Sequence, residues 1–337
     1  MSSANYNVET DIVTLTRFII QSQNRHHDAT GDFTLLLNSL QFAFKHIAYN
    51  IRRSTLVNLM GLSGTANSTG DDQKKLDVIG DDIFVNTMKA SSTVKLVVSE
   101  EQEELIYIEG KGRYAVVCDP IDGSSNLDAG VSVGTIFGIY RLHDDSQGTP
   151  EDVLRPGNEL IAAGYTMYGA SANLVLTVGE DVHGFTLDDS LGEFILTHPS
   201  LRVPEFRNIY SVNEGNTVYW DKSAQDFFHS LKFPKEGKPY SARYIGSMVA
   251  DMHRTILYGG LFAYPADKKS RKGKLRLLYE GFPMAMIIEK AGGLAINDEG
   301  KRILDLKPTQ IHERSGIWLG SKGEVEKAHA FICPSSN

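Results

Sequence analysis

Two short runs constrain the fold more than anything else in the chain. VKLVVS (94–99) leads into Glu100-Glu101, and YAVVC (114–118) leads into Asp119. Both are almost continuously apolar, as expected of short strands buried beneath helices. Strands of that kind present their last residues at the carboxyl edge of the sheet, where open α/β sheets bind ligands. If the two strands are neighbours, Glu100, Glu101, Asp119 and Asp122 share one crevice. Like charges that close raise one another's pKa unless something positive lies between them. Hard oxygen donors of this type suit Mg2+ or Mn2+. Each acid pair taken alone is also explained by a solvated turn, and DPIDG by itself is a good turn sequence. Gly123 lets backbone approach a ligand closely, and the amides of residues 123–125 at a following helix start form a candidate phosphate cradle.

Around these runs the periodicity predicts helices over 9–23, 34–52 and 74–90, the second with Leu36, Leu40, Phe44, Ile47 and Ile51 on one stripe. ATGDFT between the first two offers Thr30 or Asp32 as an N-cap. Residues 54–73 are rich in Gly, Ser, Thr and Asn and read as a long loop. Strand-like runs follow at 131–141, 160–168, 173–178 and 192–197. Beyond about 205 come a strand (NIYSV), a helix near 246–258, a strand (GLFAYP), a helix over 283–291 and a strand (GIWLGS). HPSLRVPE suggests a boundary near residue 200.

The 337 residues allow two ordinary domains or one large one, and 41% apolar with 23% charged residues is an ordinary globular balance. A net charge of −8 argues against a general nucleic-acid binder. An acidic chain handling phosphate must correct its field locally, with metal ions or clustered Lys and Arg. Cys118 and Cys333 form no Cys-x-x-Cys pair, which fits a reducing compartment. The first residues lack a signal pattern and no eighteen-residue apolar run exists. A cytoplasmic protein, without membrane or nucleic-acid partners, is the expectation.

CDPIDGSSN (118–126) resembles the D-P-[IL]-D-G-[ST] signature of the lithium-sensitive, magnesium-dependent phosphatases. KKLDV (74–78), VSEE (98–101), VSVGTIFGIYR (131–141), NEG (213–215), ARYIGSMVADMHRT (242–255) and KLRLLYE (274–280) are similar to the fructose-1,6-bisphosphatase family, over residues 10–321. The resemblance implies an α/β fold of alternating helix and sheet layers in two domains. Residues 1–200 would carry the metal motifs and an AMP site, and residues 201–337 the sugar-phosphate site. It implies hydrolysis of the 1-phosphate of fructose 1,6-bisphosphate. On the signature alone, a sedoheptulose bisphosphatase, an inositol phosphatase or an inactive sugar-phosphate and AMP sensor stays open. The 242–255 and 274–280 segments and the full set of acids favour the first reading.

The site residues implied by the resemblance fall into three groups. Glu100, Glu101, Asp119, the Ile121 carbonyl, Asp122 and Glu280 would hold two or three Mg2+ ions, with Mn2+ or Zn2+ as alternatives. Asp77 and Glu101 would activate water, Asp71 would act near the transferred phosphoryl group, and Arg276 would add fixed positive charge. Gly123, Ser124 and Ser125 would position the 1-phosphate. Asn213, Arg243, Tyr244, Tyr264 and Lys274 would hold the sugar and its 6-phosphate, Arg243 reaching in from a neighbouring subunit. Asn216 stands where the family has a tyrosine.

The family includes AMP-inhibited homotetramers. Thr30, Gly31, Asp32, Phe33, Thr34, Arg113, Tyr114 and Arg141 match that inhibitor site. Arg113 replaces a common lysine, and Asp32 a common glutamate. A plain helix cap also accounts for ATGDFT. Cys118 beside Asp119 is read as a packing residue, and Arg52-Arg53-Ser54 as a helix end rather than a phosphorylation motif.

Overall fold

The computed structural model describes residues 11–24, 30–57, 59–66 and 72–334. Its helices are α1 (Leu15–Gln23), α2 (Asp32–Arg53), α3 (Lys75–Ala90), α4 (Lys222–Lys232), α5 (Met248–Tyr258), α6 (Phe282–Lys290) and α7 (Lys322–Ile332). The strands of the first half are β1 (Leu62–Ala66), β2 (Asp72–Lys74), β3 (Val94–Ser99), β4 (Ile106–Tyr107), β5 (Tyr114–Asp122), β6 (Val133–Arg141), β7 (Leu160–Tyr168), β8 (Ala172–Thr177), β9 (Val182–Asp188) and β10 (Glu193–His198). Those of the second half are β11 (Ile209–Ser211), β12 (Ser241–Ala242), β13 (Leu261–Tyr264), β14 (Leu275–Arg276), β15 (Leu294–Ile296), β16 (Arg314–Ser315) and β17 (Ile317–Gly320).

Two sheets organise the chain. An eight-stranded sheet runs β10-β9-β8-β7-β6-β5-β3-β4, and a five-stranded sheet runs β12-β11-β13-β17-β15. Strand alternation splits the apolar residues of β5 between two cores. Tyr114, Val116 and Cys118 pack with α1, α2 and α3, whereas Ala115 and Val117 pack with α5 and α6. The residues Phe282 to Ile288 of α6 are all buried, as expected of a helix sandwiched between two sheets. Beyond the second sheet, α4 and α7 close an aromatic core in which the Phe228 and Trp318 rings stack at 5.5 Å. The layers therefore alternate helix, sheet, helix, sheet, helix. Each large side chain buried there stabilises the fold by roughly 1.5–3 kcal/mol.

Several local expectations change. The first helix starts at Leu15, because the Thr14 side chain accepts the Arg17 amide and caps it. The second is capped by Gly31 at φ 88°, while the Thr30 hydroxyl donates to the Asp32 carboxylate. Residues 54–73 are not simply a loop: β1 lies within them and pairs with β2, which begins there and ends at Lys74. Strand β5 does not stop at Cys118 but continues through Asp122, with an irregularity in its pairing to β6 between Asp119 and Asp122. α4, α7 and β9 were not anticipated from the sequence. Yet α4 shows the signal, since Ala224, Phe227, Phe228 and Leu231 recur at helical spacing behind Asp221.

Candidate active site

The acids meet because β3 and β5 are parallel neighbours, with Ser99 opposite Cys118. Both strands therefore release their acids at the same edge. Glu280 arrives from the second half on a π-helical turn, Leu277–Gly281, that precedes α6. One ligand oxygen from each of Asp119, Asp122 and Glu280 lies within 4.8 Å of the others, and all three residues are buried. The donors are all hard oxygen, and carboxylates crowded this closely keep protons unless a cation lies between them. The set fits a divalent ion.

Each acid is also held by protein groups. Asp122 accepts hydrogen bonds from Ser247 Oγ at 2.6 Å, the Val249 amide at 2.8 Å and the Met248 amide at 3.3 Å, all at the positive end of α5. The Ile121 amide donates to Asp119. The Arg276 amide donates to Glu280 at 2.6 Å. The Arg276 guanidinium, 4% exposed, lies 2.7 Å from Glu100 and 4.0 Å from Glu280, the fixed positive charge expected there.

Burial dominates the electrostatics. It pushes Glu101 up to about 8, opposed by the hydrogen bond from Gln73, and Glu100 adds repulsion. It raises Asp77 to about 6, opposed by the Lys74 amide and Ser124. Asp119 is pushed well up by burial and then by Glu100, Asp122 and Glu280. Glu280 rises to about 8 for the same reason, moderated by Arg276. Asp119, Asp122 and Glu280 share their protons as a group. Asp77, in the first turn of α3, accepts the Lys74 amide through Oδ2, while its buried Oδ1 makes no hydrogen bond.

A cleft of about 570 Å³ opens over the acids. Asp77, Glu100, Glu101, Asp119, Ile121, Asp122, Arg276 and Glu280 line it together with Gly123, Ser124, Ser125, Asn213, Tyr244, Tyr264 and Lys274. Gly123 caps the 3₁₀ turn Ser124–Ala129 at φ 76°, and a Cβ there would stand 2.6 Å from Ser247 Cβ. Arg243 is exposed and lies outside the lining of its own chain's cleft. Asn216 likewise does not line it. Asp71 lies outside the described residues.

Sequence reasoning missed Gln73 and Asp251. Gln73 Nε2 donates to Glu101 at 2.5 Å. Asp251, 1% exposed, accepts from Ser211 Oγ and from the amides of Ile245 and Gly246, which fixes the segment carrying Tyr244. The lone buried acid in VADMH was its signal.

A second cavity, about 380 Å³, lies between α1, the start of α2 and the ends of β5 and β6. It is lined by Thr30, Gly31, Phe33, Thr34, Arg113, Tyr114 and Arg141, among others, with the Phe33 and Tyr114 rings 5.7 Å apart. Asp32 is beside it but does not line it. Cys118 is fully buried, and Ser54 is 6% exposed with its hydroxyl donating to the Ile51 carbonyl. Both are packing residues.

Two family models together cover most of the chain: the N-terminal domain of fructose-1-6-bisphosphatase over residues 13–199 and its C-terminal domain over residues 203–333. Fold, cleft and matches define a hydrolase of phosphoric monoesters. The fructose-1,6-bisphosphatase of Saccharomyces cerevisiae is 64% identical over 323 residues, covering 95% of this chain and 93% of that one. A cytosolic fructose-1,6-bisphosphatase of Arabidopsis thaliana is 54% identical, covering 96% and 95%. The crystal structure of Leishmania major fructose-1,6-bisphosphatase in holo form superposes with a TM-score of 0.91 at 48% identity, covering 95% and 98%. Its T-state superposes at 0.86 and 46% identity, covering 96% and 99%. The chain belongs to the fructose-1,6-bisphosphatase family, whose members depend on divalent metal. Among the described residues, no helix is long and apolar enough to cross a membrane.

Proposed function

We propose that the chain hydrolyses the 1-phosphate of fructose 1,6-bisphosphate to fructose 6-phosphate and phosphate, using Mg2+ held by Glu100, Glu101, Asp119, the Ile121 carbonyl, Asp122 and Glu280. The observation that carries this is one cleft lined by two chemically different sets of groups: crowded buried oxygen donors, and Lys274 with Tyr244, Tyr264 and Asn213. Bound there, two or three divalent ions would neutralise phosphoryl oxygens and acidify water; Mn2+ or Zn2+ offers the same chemistry.

The chain's own residues do the rest. Asp77 Oδ1 is the open acceptor for a water proton, because Oδ2 is occupied by the Lys74 amide. Glu101 shares that role through the oxygen Gln73 leaves free. Arg276 holds Glu100 in place through an ion pair. Gly123 admits the phosphate against backbone, and Ser124 and Ser125 supply hydroxyls and amides. Lys274, Tyr244 and Tyr264 grip the phosphate that stays on the product, with Arg243 donated by a neighbouring subunit of a homotetramer. Asp71, outside the described residues, would act near the transferred group.

The 380 Å³ cavity is read as the AMP site. Arg113 and Arg141 face the nucleotide's charge, and the start of α2 offers its amides. AMP would favour a state in which residues 54–73 leave the cleft, through a difference in its affinity for two states. The division near residue 200 would leave every proposed metal ligand but Glu280 in the first half and the sugar-phosphate groups Asn213, Tyr244, Tyr264 and Lys274 in the second. Relatives named cytosolic support a cytoplasmic location. Phosphate release from fructose 1,6-bisphosphate, measured with Mg2+ and then with chelator, tests the reaction. Absence of release, or faster release from inositol 1-phosphate or sedoheptulose bisphosphate, sinks it. AMP at millimolar concentration leaving the rate unchanged removes the regulatory part alone.

A further inference from the structure

The π-helical turn Leu277–Gly281 places Glu280 in the cleft and turns the preceding residue, Tyr279, away into the core. The Tyr279 hydroxyl lies 2.8 Å from His312 Nδ1, and His312 Nε2 lies 3.2 Å from the Glu103 carbonyl oxygen. A carbonyl only accepts, so Nε2 carries the hydrogen. Nδ1 is then the acceptor, and the tyrosine donates. The chain Tyr279–His312–Glu103 thus has one consistent direction.

Its ends are the two halves of the acid cluster. Glu103 lies three residues after Glu100, on the segment that leaves β3. Tyr279 adjoins Glu280, from the other half of the molecule. The stretch around His312 is fastened to the turn by backbone: the Leu277 amide donates to the Glu313 carbonyl at 2.8 Å, and Arg276 pairs with Arg314 between β14 and β16. His312 reaches from that strap across to the Glu103 segment. Between the two halves sits Arg276, 2.7 Å from Glu100 and 4.0 Å from Glu280.

We propose that His312 is a positioning residue that, through Tyr279 and the Glu103 carbonyl, sets the spacing of Glu100 against Glu280 and so the affinity of the site for divalent ions. The inference rests on the divalent-ion reading given above. Donor oxygens brought together from two sheets have no covalent reason to keep their spacing. His312, hydrogen-bonded to the segments that carry them, supplies a non-covalent one, and where partners bond the ligands directly their loss typically costs 10–100-fold in ion affinity. His312 touches neither substrate nor ion in this scheme.

The test is an Mg2+ titration of the purified chain, read both by thermal melting without substrate and by phosphate release. His312→Ala should raise the Mg2+ midpoint by about 10-fold or more in both readouts, with kcat at saturating Mg2+ within about threefold of wild type. Tyr279→Phe, which keeps the ring and its packing, should raise it in the same direction. The double variant should be no worse than the poorer single one. His312→Gln, which keeps a donor and an acceptor, should recover part of the loss. A lowered melting temperature with an unchanged Mg2+ midpoint would assign His312 a purely structural role and overturn the proposal. Additive losses in the double variant would overturn it too. If His312→Ala does not fold, Tyr279→Phe decides: an unchanged midpoint refutes the clamp. A wild type with no Mg2+ response in either readout would instead refute the divalent-ion reading, and this inference with it.

Discussion

Loading the ion-free protein with Mg2+ should expel protons, and the number follows from the site. Glu101 and Glu280 each titrate near 8 because they are buried among other carboxylates. At pH 7 each is therefore about nine-tenths protonated, and at pH 9 about one-tenth. A divalent ion needs the carboxylates ionised. Binding should release about two protons at pH 7 from these two residues, with more from the group Asp119 shares, and about 0.2 at pH 9. Apparent affinity should climb by up to about 100-fold per pH unit below 7 and level off above 8.

The same acids set the stability of the ion-free fold. Both stand above their ordinary value of 4.5. The folded state therefore holds their protons more tightly, and ionising them costs stability. The loss begins as pH rises past about 4.5 and is complete above about 8. A carboxyl moved that far represents on the order of 5 kcal/mol, an upper bound because water can enter an open cleft. Mg2+ should therefore raise the melting temperature little at pH 5 and most at pH 8–9. Isothermal calorimetry in buffers of different ionisation heat counts the protons, and melting with and without Mg2+ reads the stability. Release below about 0.3 proton at pH 7, or a melting gap independent of pH, would refute the reasoning.

Three further outcomes are expected. Arg276→Met removes the cation 2.7 Å from Glu100 and should cost about 3–5 kcal/mol in denaturant unfolding at pH 8, less at pH 5.5, where the acids hold protons; equal costs would contradict the electrostatic account. Gly123→Ala forces a Cβ to within 2.6 Å of Ser247 Cβ at φ 76°, so stability should fall by about 1–3 kcal/mol and phosphate release by about 100-fold or more; near-wild-type turnover would show that the cradle tolerates a side chain. Arg141→Ala should weaken AMP inhibition by about 10-fold or more while leaving turnover without AMP within twofold, whereas unchanged AMP potency would exclude the second cavity as its site.

Much of the site was legible because strand ends and acids coincide. VKLVVS and YAVVC announce buried strands, and the parallel pairing of β3 with β5 does what their sequences ask. The pairing itself was not legible, because nothing in either run names its neighbour. Glu280 was invisible to spacing, since LLYE looks like any helix approach until the π-helical turn aims its acid inward. The sequence resemblance supplied that residue. Residues 54–73 were misread because Gly, Ser and Thr permit a loop without requiring one. There the Ser63 hydroxyl donates to the Gln73 carbonyl across the β1–β2 pair, and the Gly61 amide and Lys74 ammonium both bind Asp128. Gln73, Asp251 and His312 escaped because each acts through side-chain hydrogen bonds, which leave no periodicity to read.

The two cavities share their framework, and that limits how one could influence the other. Tyr114 faces Arg141 at one end of the β5–β6 pair, beside the second cavity, and Asp122 faces Gly134 at the other end, beside the acids. The ends are roughly 26 Å apart along the strand. Every residue of β5 is buried in mid-sheet, so bending it would break two cores at once. A signal between the cavities therefore needs a body that moves as one piece. Helix α2 has the right reach, about 33 Å. Thr34 in its first turn lines the second cavity, and its last turn leads into the segment that Gly61 ties to Asp128 beside the cleft. It touches the sheet through the apolar stripe Leu36, Leu40, Phe44 and Ile47, and its ionic ties to the β9–β10 hairpin are the part-buried pair Lys45–Glu193 and the pair Arg52–Asp189, which a slide would have to break. On this reasoning the nucleotide proposed to bind at the start of α2 would act on the cleft through the far end of the helix, and β5 would stay still.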